Sequence, residues 1–377
     1  MRSPNNKLSP EAFALALLLA SSLQIMENLV PRVPIFPWLK LGLSYVVIVP
    51  FLLRYGSVPA FALLVGRNLL GVLYGGQMFS TFLISTGSGA AAFLLLGYPV
   101  AWLFHRKVFG LIGVSVLLAT MFNLSQLILV EWILIRHSGF FFQVGPILIW
   151  SVVSAGAIAY LIRLSEADLA GAWEWESGSD ARAGGSTASP DSALPLPDFA
   201  ASGTNGFFVF ALALIGCVLA ISSTILQALI LAAALPVSAR VFGIGYKSAL
   251  KMLLAAWPLF FYLAWLHLFH TPGRLMTLGM THEGISALGL HGLRLLNLIV
   301  VGRWLAQTLP LGWMRHSSKP YFRGFLLAVP LLPGLFSFSL AAGKQVARRW
   351  FRGERENLLT PLFDAWKQNL YAGKSRE

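Results

Sequence analysis

The chain reads as an all-α polytopic membrane protein, a six-helix module followed by a module of four to five helices. Three observations predict this. Hydrophobic residues make up 56% of the 377 and charged residues only 11%, where an ordinary soluble domain carries roughly 25% charged. Depletion of that kind suits a surface facing lipid. Apolar runs near the roughly 20 residues that a span needs recur along the chain. A single polar seam, Ser165 to Gly206, separates two sets of them; it is rich in Gly, Ser, Ala and Asp and contains Pro190, Pro195 and Pro197. Such a segment cannot bury enough apolar surface to fold alone, so a flexible acidic linker is expected. The predicted domains are residues 1–164, the linker 165–206, and residues 207–377.

In the first module the runs are Pro10–Met26, Leu39–Leu53, Val58–Tyr74, Gln77–Phe104, Phe109–Ile135 and Phe142–Leu164. The fourth is long and holds Gly87, Gly89, Gly97 and Pro99, which predicts two pieces or a kink. Gln24 and Glu27 follow the first run where a cleavage site would need small residues, so an uncleaved anchor is expected. The second module opens with an apolar run of 30 residues, Phe207–Pro236, with Ser222, Ser223 and Thr224 in its middle. One helix of that length would reach about 45 Å, beyond the ~30 Å hydrocarbon core, so a tight hairpin of two short helices is expected. Met252–Phe269, Ile285–Leu309 and Phe325–Ala342 follow, with a basic stretch at Arg315–Arg323 and a basic tail.

Net charge is +13, unevenly placed: residues 1–165 hold ten Lys and Arg against three Asp and Glu, residues 166–205 one against seven, and residues 206–377 seventeen against five. The basic residues are scattered between spans, which argues against nucleic acid as a partner. An inside N-terminus puts Arg2, Lys7, Arg54, Arg106, Lys107 and Arg163 in the cytoplasm and leaves Arg32, Lys40 and Arg136 outside. Positive charge favours the cytoplasmic side, so the N-terminus and the linker are expected there. Cys217 is the only cysteine, which excludes a disulfide or a cysteine-based metal site within one chain. No GxxxxGK[ST] loop is present, so hydrolysis of ATP by that route is excluded. A paired-Asp motif for magnesium diphosphate is absent too, and no cofactor is expected. His267, His270, His282 and His291 read as interface histidines, with metal binding the alternative.

Several polar residues stand inside apolar runs. Arg67 lies mid-span in Val65-Gly66-Arg67-Asn68-Leu69; a charge at that depth faces a cavity or a partner. Glu27 and Glu131 are its nearest acid candidates. Asn123 and Gln126 share one helix face, and buried amides need partners. Lys40 opens a helix near the membrane boundary after Pro31, Pro34 and Pro37; it either snorkels to the interface or meets an anionic solute. Ala12, Ala16 and Ala20 recur every fourth residue, a flat face open to close helix approach. That face serves either a separate membrane subunit or packing within the module.

The stretch Pro34–Val47, then Arg67-Asn68-Leu69-Leu70-Gly71, Ile84-Ser85-Thr86-Gly87-Ser88-Gly89, Gly113-Val114-Ser115 and Asn123-Leu124-Ser125-Gln126 resembles the Gx transporter family. That family is often labelled heptaprenyl diphosphate synthase component I. It sits with the substrate-binding S components of energy-coupling factor vitamin transporters. The resemblance covers about residues 10–165; Phe122 stands where the family commonly has His. It implies a bacterial-type inner membrane, a solute site using Lys40, Arg67, Ser85, Asn123 and Gln126, and docking through Ala12, Ala16 and Ala20. The second module resembles the CbiQ-like T component through Thr281-His282-Glu283-Gly284, Arg294-Leu295-Leu296 and Pro330–Gly334 leading into Ala347-Arg348-Arg349. That resemblance implies coupling to separate ATPase subunits through Arg294, Arg348 and Arg349, with Arg349 standing where Gly is expected. The rival expectation is a membrane accessory subunit for polyprenyl diphosphate synthesis, or a scaffold without transport.

Overall fold

In a computed structural model of the chain, the described residues are 8–28, 42–73, 79–135, 143–165, 204–242, 260–274, 280–308 and 319–328, with 344–346, 348, 349, 352 and 364. They are overwhelmingly helical and include no β-strand. Five of their helices are long and apolar enough to cross a bilayer, and a bent pair makes a sixth. The protein is an all-α polytopic membrane protein.

The first module begins with α1 (Pro10–Asn28), α2 (Tyr45–Tyr55) and α3 (Ser57–Leu73). Next, α4 (Phe79–Gly89) passes through a π-helical turn, Ala90–Leu95, into α5 (Gly97–His105), with a bend of 44°. This is the two-piece fourth run that its glycines predict. A π-helical turn breaks the regular ladder and redirects the axis, and Pro99 sits in the first turn of α5, where a missing N–H costs no bond. Then come α6 (Leu111–Val130), extended by a π-helical turn at Glu131–Ile135, and α7 (Val144–Leu164).

The long run of the second module divides into α8 (Thr204–Ala220) and α9 (Thr224–Phe242) around Ile221–Ser223, at the predicted break. These helices do not zip together as a tight hairpin would; each takes α11 (His282–Gln307) as its main neighbour. Residues 260–270 form α10. α11 starts at an N-cap where the Thr281 hydroxyl accepts from the Gly284 N–H at 3.0 Å, covering one of the donors a helix start leaves open. α12 (Pro320–Ala328) has Pro at its first position, where its fixed φ suits a helix start. Residues 39–41, 74, 77, 78, 142, 252–259, 309 and 329–342 of the expected spans lie outside the described residues.

Packing crosses the linker. One core gathers α1, α2 and α3 with Phe93, Val114, Leu118 and Ile158, and includes Phe325 and Ala328 from α12. The other joins Ile84, Leu127, Val130, Ile133 and Ile147 of the first module to Ala211, Ile215, Tyr262, Leu295, Leu298 and Trp304 of the second. Gln143 at the head of α7 donates to the Tyr262 hydroxyl of α10 across the same seam. Around the outside, Leu95, Tyr98, Ile128, Ile149, Val209, Ile225 and Leu229 are exposed, the apolar belt that lipid requires. Trp102 and Trp132 are exposed at or near helix ends, as in interfacial aromatic girdles.

Candidate functional site

α1 supplies the first wall of a cavity. It is buried nearly all round from Ala12 to Ala20, and its C-terminal end carries Gln24 and Glu27, three apart on one face. Gly42 faces them with φ +78°, a left-handed conformation that glycine adopts without steric cost. Its N–H donates to Glu27 Oε1 at 2.6 Å, tying the start of α2 to the end of α1. α3, α4, α6 and α7 line the other sides. The cavity measures about 70 Å³, room for several waters or a small polar group.

Arg67 reaches it from α3 and is buried. Its Nη1 donates to Ser44 Oγ and its Nη2 to Asn68 Oδ1 at 2.9 Å. Both acceptors are neutral, and among the described residues no carboxylate lies within ion-pair distance of the guanidinium. Asn68 passes the network on, its Nδ2 donating to Ser85 Oγ at 3.0 Å and Thr86 Oγ1 at 3.5 Å. The Arg67 guanidinium carbon lies 5.5 Å from the Tyr45 ring centroid, within cation–π range. Tyr45 in turn stacks on Phe93 at 6.0 Å and meets Phe122 edge-on at 5.5 Å. Ser115 Oγ and Gln24 Oε1 are buried in this wall and have no hydrogen-bond partner among the described residues.

Of the residues singled out from sequence, Arg67, Ser85, Asn123 and Gln126 all line this one cavity. Asn123 donates to Ser151 Oγ at 2.8 Å and so fixes α6 to α7. Phe122 gives the wall an aromatic surface. Lys40 lies outside the described residues, and Glu131 does not line the cavity. Gln24, Ser44, Tyr45, Asn68, Ser115 and Ser154 also line it and were not put forward as site residues; Glu27 was named only as a partner for Arg67. Their signal was present: Asn68 and Ser115 fall inside the motifs quoted above, and Gln24 and Glu27 end an apolar run at helical spacing.

Ala12, Ala16 and Ala20 are fully buried, and α1 packs on α12, α3 and α2. Arg294 is also fully buried. Its Nη2 donates to the Ile221 carbonyl at 2.7 Å, and its Nη1 lies 3.2 Å from His291 Nδ1. The side chain therefore serves the break between α8 and α9. Arg348 is exposed and Arg349 half-buried. His267 stacks on His291 at 5.0 Å, while His270 lies 4.4 Å from Trp265 and His282 is exposed. Among the described residues no group of three or more His, Cys, Asp or Glu side chains is placed to hold a metal ion.

Compared with known proteins, the chain matches no curated protein and no solved structure. Its first module does match a family: residues 16–164, which contain every described wall of the cavity, fit the family model of heptaprenyl diphosphate synthase component I.

Proposed function

We propose that the first module is a solute-binding module, and that the chain is the membrane part of an energy-coupling-factor-type transporter whose ATPases are separate chains. The observation that carries this is Arg67: a buried guanidinium bonded only to neutral groups among the described residues, at a small cavity with unsatisfied polar atoms. A buried charge is costly unless it is paired. A small solute with an anionic group would supply the missing partner, and Gln24, Gln126 and Ser115 would take its hydrogen-bonding groups. Glu27 leaves room for a zwitterion. The C-terminal module, read as a CbiQ-like coupling component, would transmit ATPase motion through Arg348 and Arg349. A cytoplasmic N-terminus and linker in a bacterial-type inner membrane complete this reading.

The family match favours a second reading. A family described as component I of heptaprenyl diphosphate synthase speaks of a synthase with more than one component. Under that reading the chain is a membrane accessory subunit, its partner is a soluble prenyltransferase, and Arg67 meets a diphosphate. The polar lining of the cavity, Arg67 with Asn68, Ser85 and Ser115, suits such a head group.

Affinity purification of the full chain from its native membrane separates the two. Stoichiometric ATPases that are lost on Arg348→Ala/Arg349→Ala support the transporter. A prenyltransferase without ATPases overturns it and supports the accessory role.

A further inference from the structure

The Arg67 cavity carries its two charges on different walls. Arg67 on α3 and Glu27 on α1 are the charged groups among its described lining residues, and both are buried. They attract each other, yet each is held by neutral groups. The guanidinium donates to Ser44 and Asn68, and Glu27 Oε1 accepts from the Gly42 N–H. No ion pair joins the two among the described residues. One short turn lies between them: Gly42 meets Glu27, while Ser44 and Tyr45 meet Arg67. The charges are therefore separated but near, a few covalent bonds' reach apart.

The α1 wall is an acceptor pole. Gln24 lies three residues before Glu27, on the same helix face. It is 5% exposed, and its Oε1 has no hydrogen-bond partner among the described residues. Glu27 Oε2 takes no hydrogen bond among them either. The α3 wall is a donor pole, where the buried Arg67 Nε is also without a partner. A plain anion would answer Arg67 but leave two buried acceptors without a donor, and would carry a net negative charge into the site. Both costs are large away from water. A cation would stand beside Arg67 with no acid of its own. A neutral polar solute would leave both charges without a counter-charge. A zwitterion answers both poles and keeps the net charge of the described lining at zero, since a carboxylate only accepts and an ammonium only donates.

We propose, resting on the reading of the first module as a solute-binding module, that its solute is a compact zwitterion of the amino-acid type. Its carboxylate meets Arg67, and its ammonium sits between Glu27 Oε2 and Gln24 Oε1. Glu27 and Gln24 are then the specificity-determining residues that reject a plain anion. The remaining body of the solute faces Val49, Leu118, Phe122 and Ile158, the apolar part of the lining.

The test extracts small molecules from the purified full chain, from Arg67→Met and from Glu27→Gln, and characterises them by electrophoresis coupled to mass spectrometry. Glu27→Gln removes the charge and keeps an acceptor for the Gly42 N–H, so its unfolding temperature in detergent should match the parent's. The solute that Arg67→Met loses should stay near the origin at neutral pH and move as a cation in acid, as a zwitterion does. Glu27→Gln should retain at least about tenfold less of it, the scale of losing a charged hydrogen-bond partner. An Arg67-dependent solute that moves as an anion at neutral pH and carries no cationic group in acid overturns the proposal and leaves the solute-binding reading standing. So does full retention of the solute by Glu27→Gln. A parent protein with no Arg67-dependent solute removes that reading and the proposal with it.

Discussion

The Arg67 guanidinium carbon lies 5.5 Å from the centroid of the Tyr45 ring, so the one cation among the described residues of the cavity wall rests on an aromatic face. That face is itself held by Phe93 and Phe122. The arrangement fixes Arg67 with no carboxylate within ion-pair distance among the described residues, although Glu27 lines the same cavity. A cation–π contact contributes about 0.5–2 kcal/mol, more when desolvated. Tyr45→Leu should therefore weaken solute retention roughly threefold to thirtyfold, and Tyr45→Phe should retain most of it. Isothermal titration or equilibrium dialysis with the copurified solute checks this; equal losses in the two variants would show that the ring face is not what matters.

Gly42 couples α1 to α2 through a left-handed backbone and its bond to Glu27. A Cβ there would also stand 2.9 Å from Tyr45 Cδ2. Gly42→Ala should cost about 1–3 kcal/mol, from φ strain and crowding, and should weaken solute retention as well, because it pushes on Tyr45. Thermal unfolding in detergent, paired with a binding assay, reads both.

Gly324 permits a close approach between α12 and α1. A Cβ on it would lie 2.5 Å from the Pro10 carbonyl oxygen and 2.9 Å from Phe13 Cβ. Gly324→Val should therefore pry α12 from α1 and lower stability by about 1–3 kcal/mol. A crosslink engineered between α1 and α12 should form in the parent protein and fail in the variant.

Arg294 and Asn297 hold the break between α8 and α9. Arg294 donates to the Ile221 carbonyl, and Asn297 Nδ2 donates to the backbone carbonyl and to Oε1 of Gln227, at 2.8 Å each. Gln227 Nε2 donates to the Val218 and Ile221 carbonyls. These bonds cover carbonyls that the interrupted helix leaves without i+4 donors, which lipid cannot satisfy. Arg294→Met should destabilise the protein by about 1–2 kcal/mol, the scale of interhelical polar bonds in membranes. ATPase copurification should then fall only in proportion to the folded fraction; a selective loss would mean that Arg294 also serves coupling.

Much of this was legible in the sequence, for identifiable reasons. Span lengths follow from bilayer thickness, so the apolar runs mark most of the helices, and the glycines around Gly89 and Gly97 mark the bend between α4 and α5. Ser222 and Ser223 mark the break in the long run. Buried polar residues are costly in lipid, so Arg67, Asn123 and Gln126 stood out, Ser85 came with the family resemblance, and the fold brings all four to one cavity. Tyr45 and Ser44 did not stand out, because an aromatic or a serine within an apolar run is ordinary. Their role comes from the turn at Gly42, which no periodicity records. Arg294 entered only through a family resemblance, because a sequence does not show which helix break a buried Arg will cap. The shared cores were hidden by the linker, since a polar seam in the chain says nothing about which helices meet across it.

The central claim is that the Arg67 cavity binds a small anionic solute. The most direct test extracts small molecules from the purified full chain and from Arg67→Met, and compares them by mass spectrometry. The account predicts an anionic or zwitterionic solute near one per chain in the parent protein, reduced at least about tenfold in the variant, as loss of a hydrogen-bonded charged partner implies. A parent protein that yields no such solute, or a variant that retains it in full, would contradict the account.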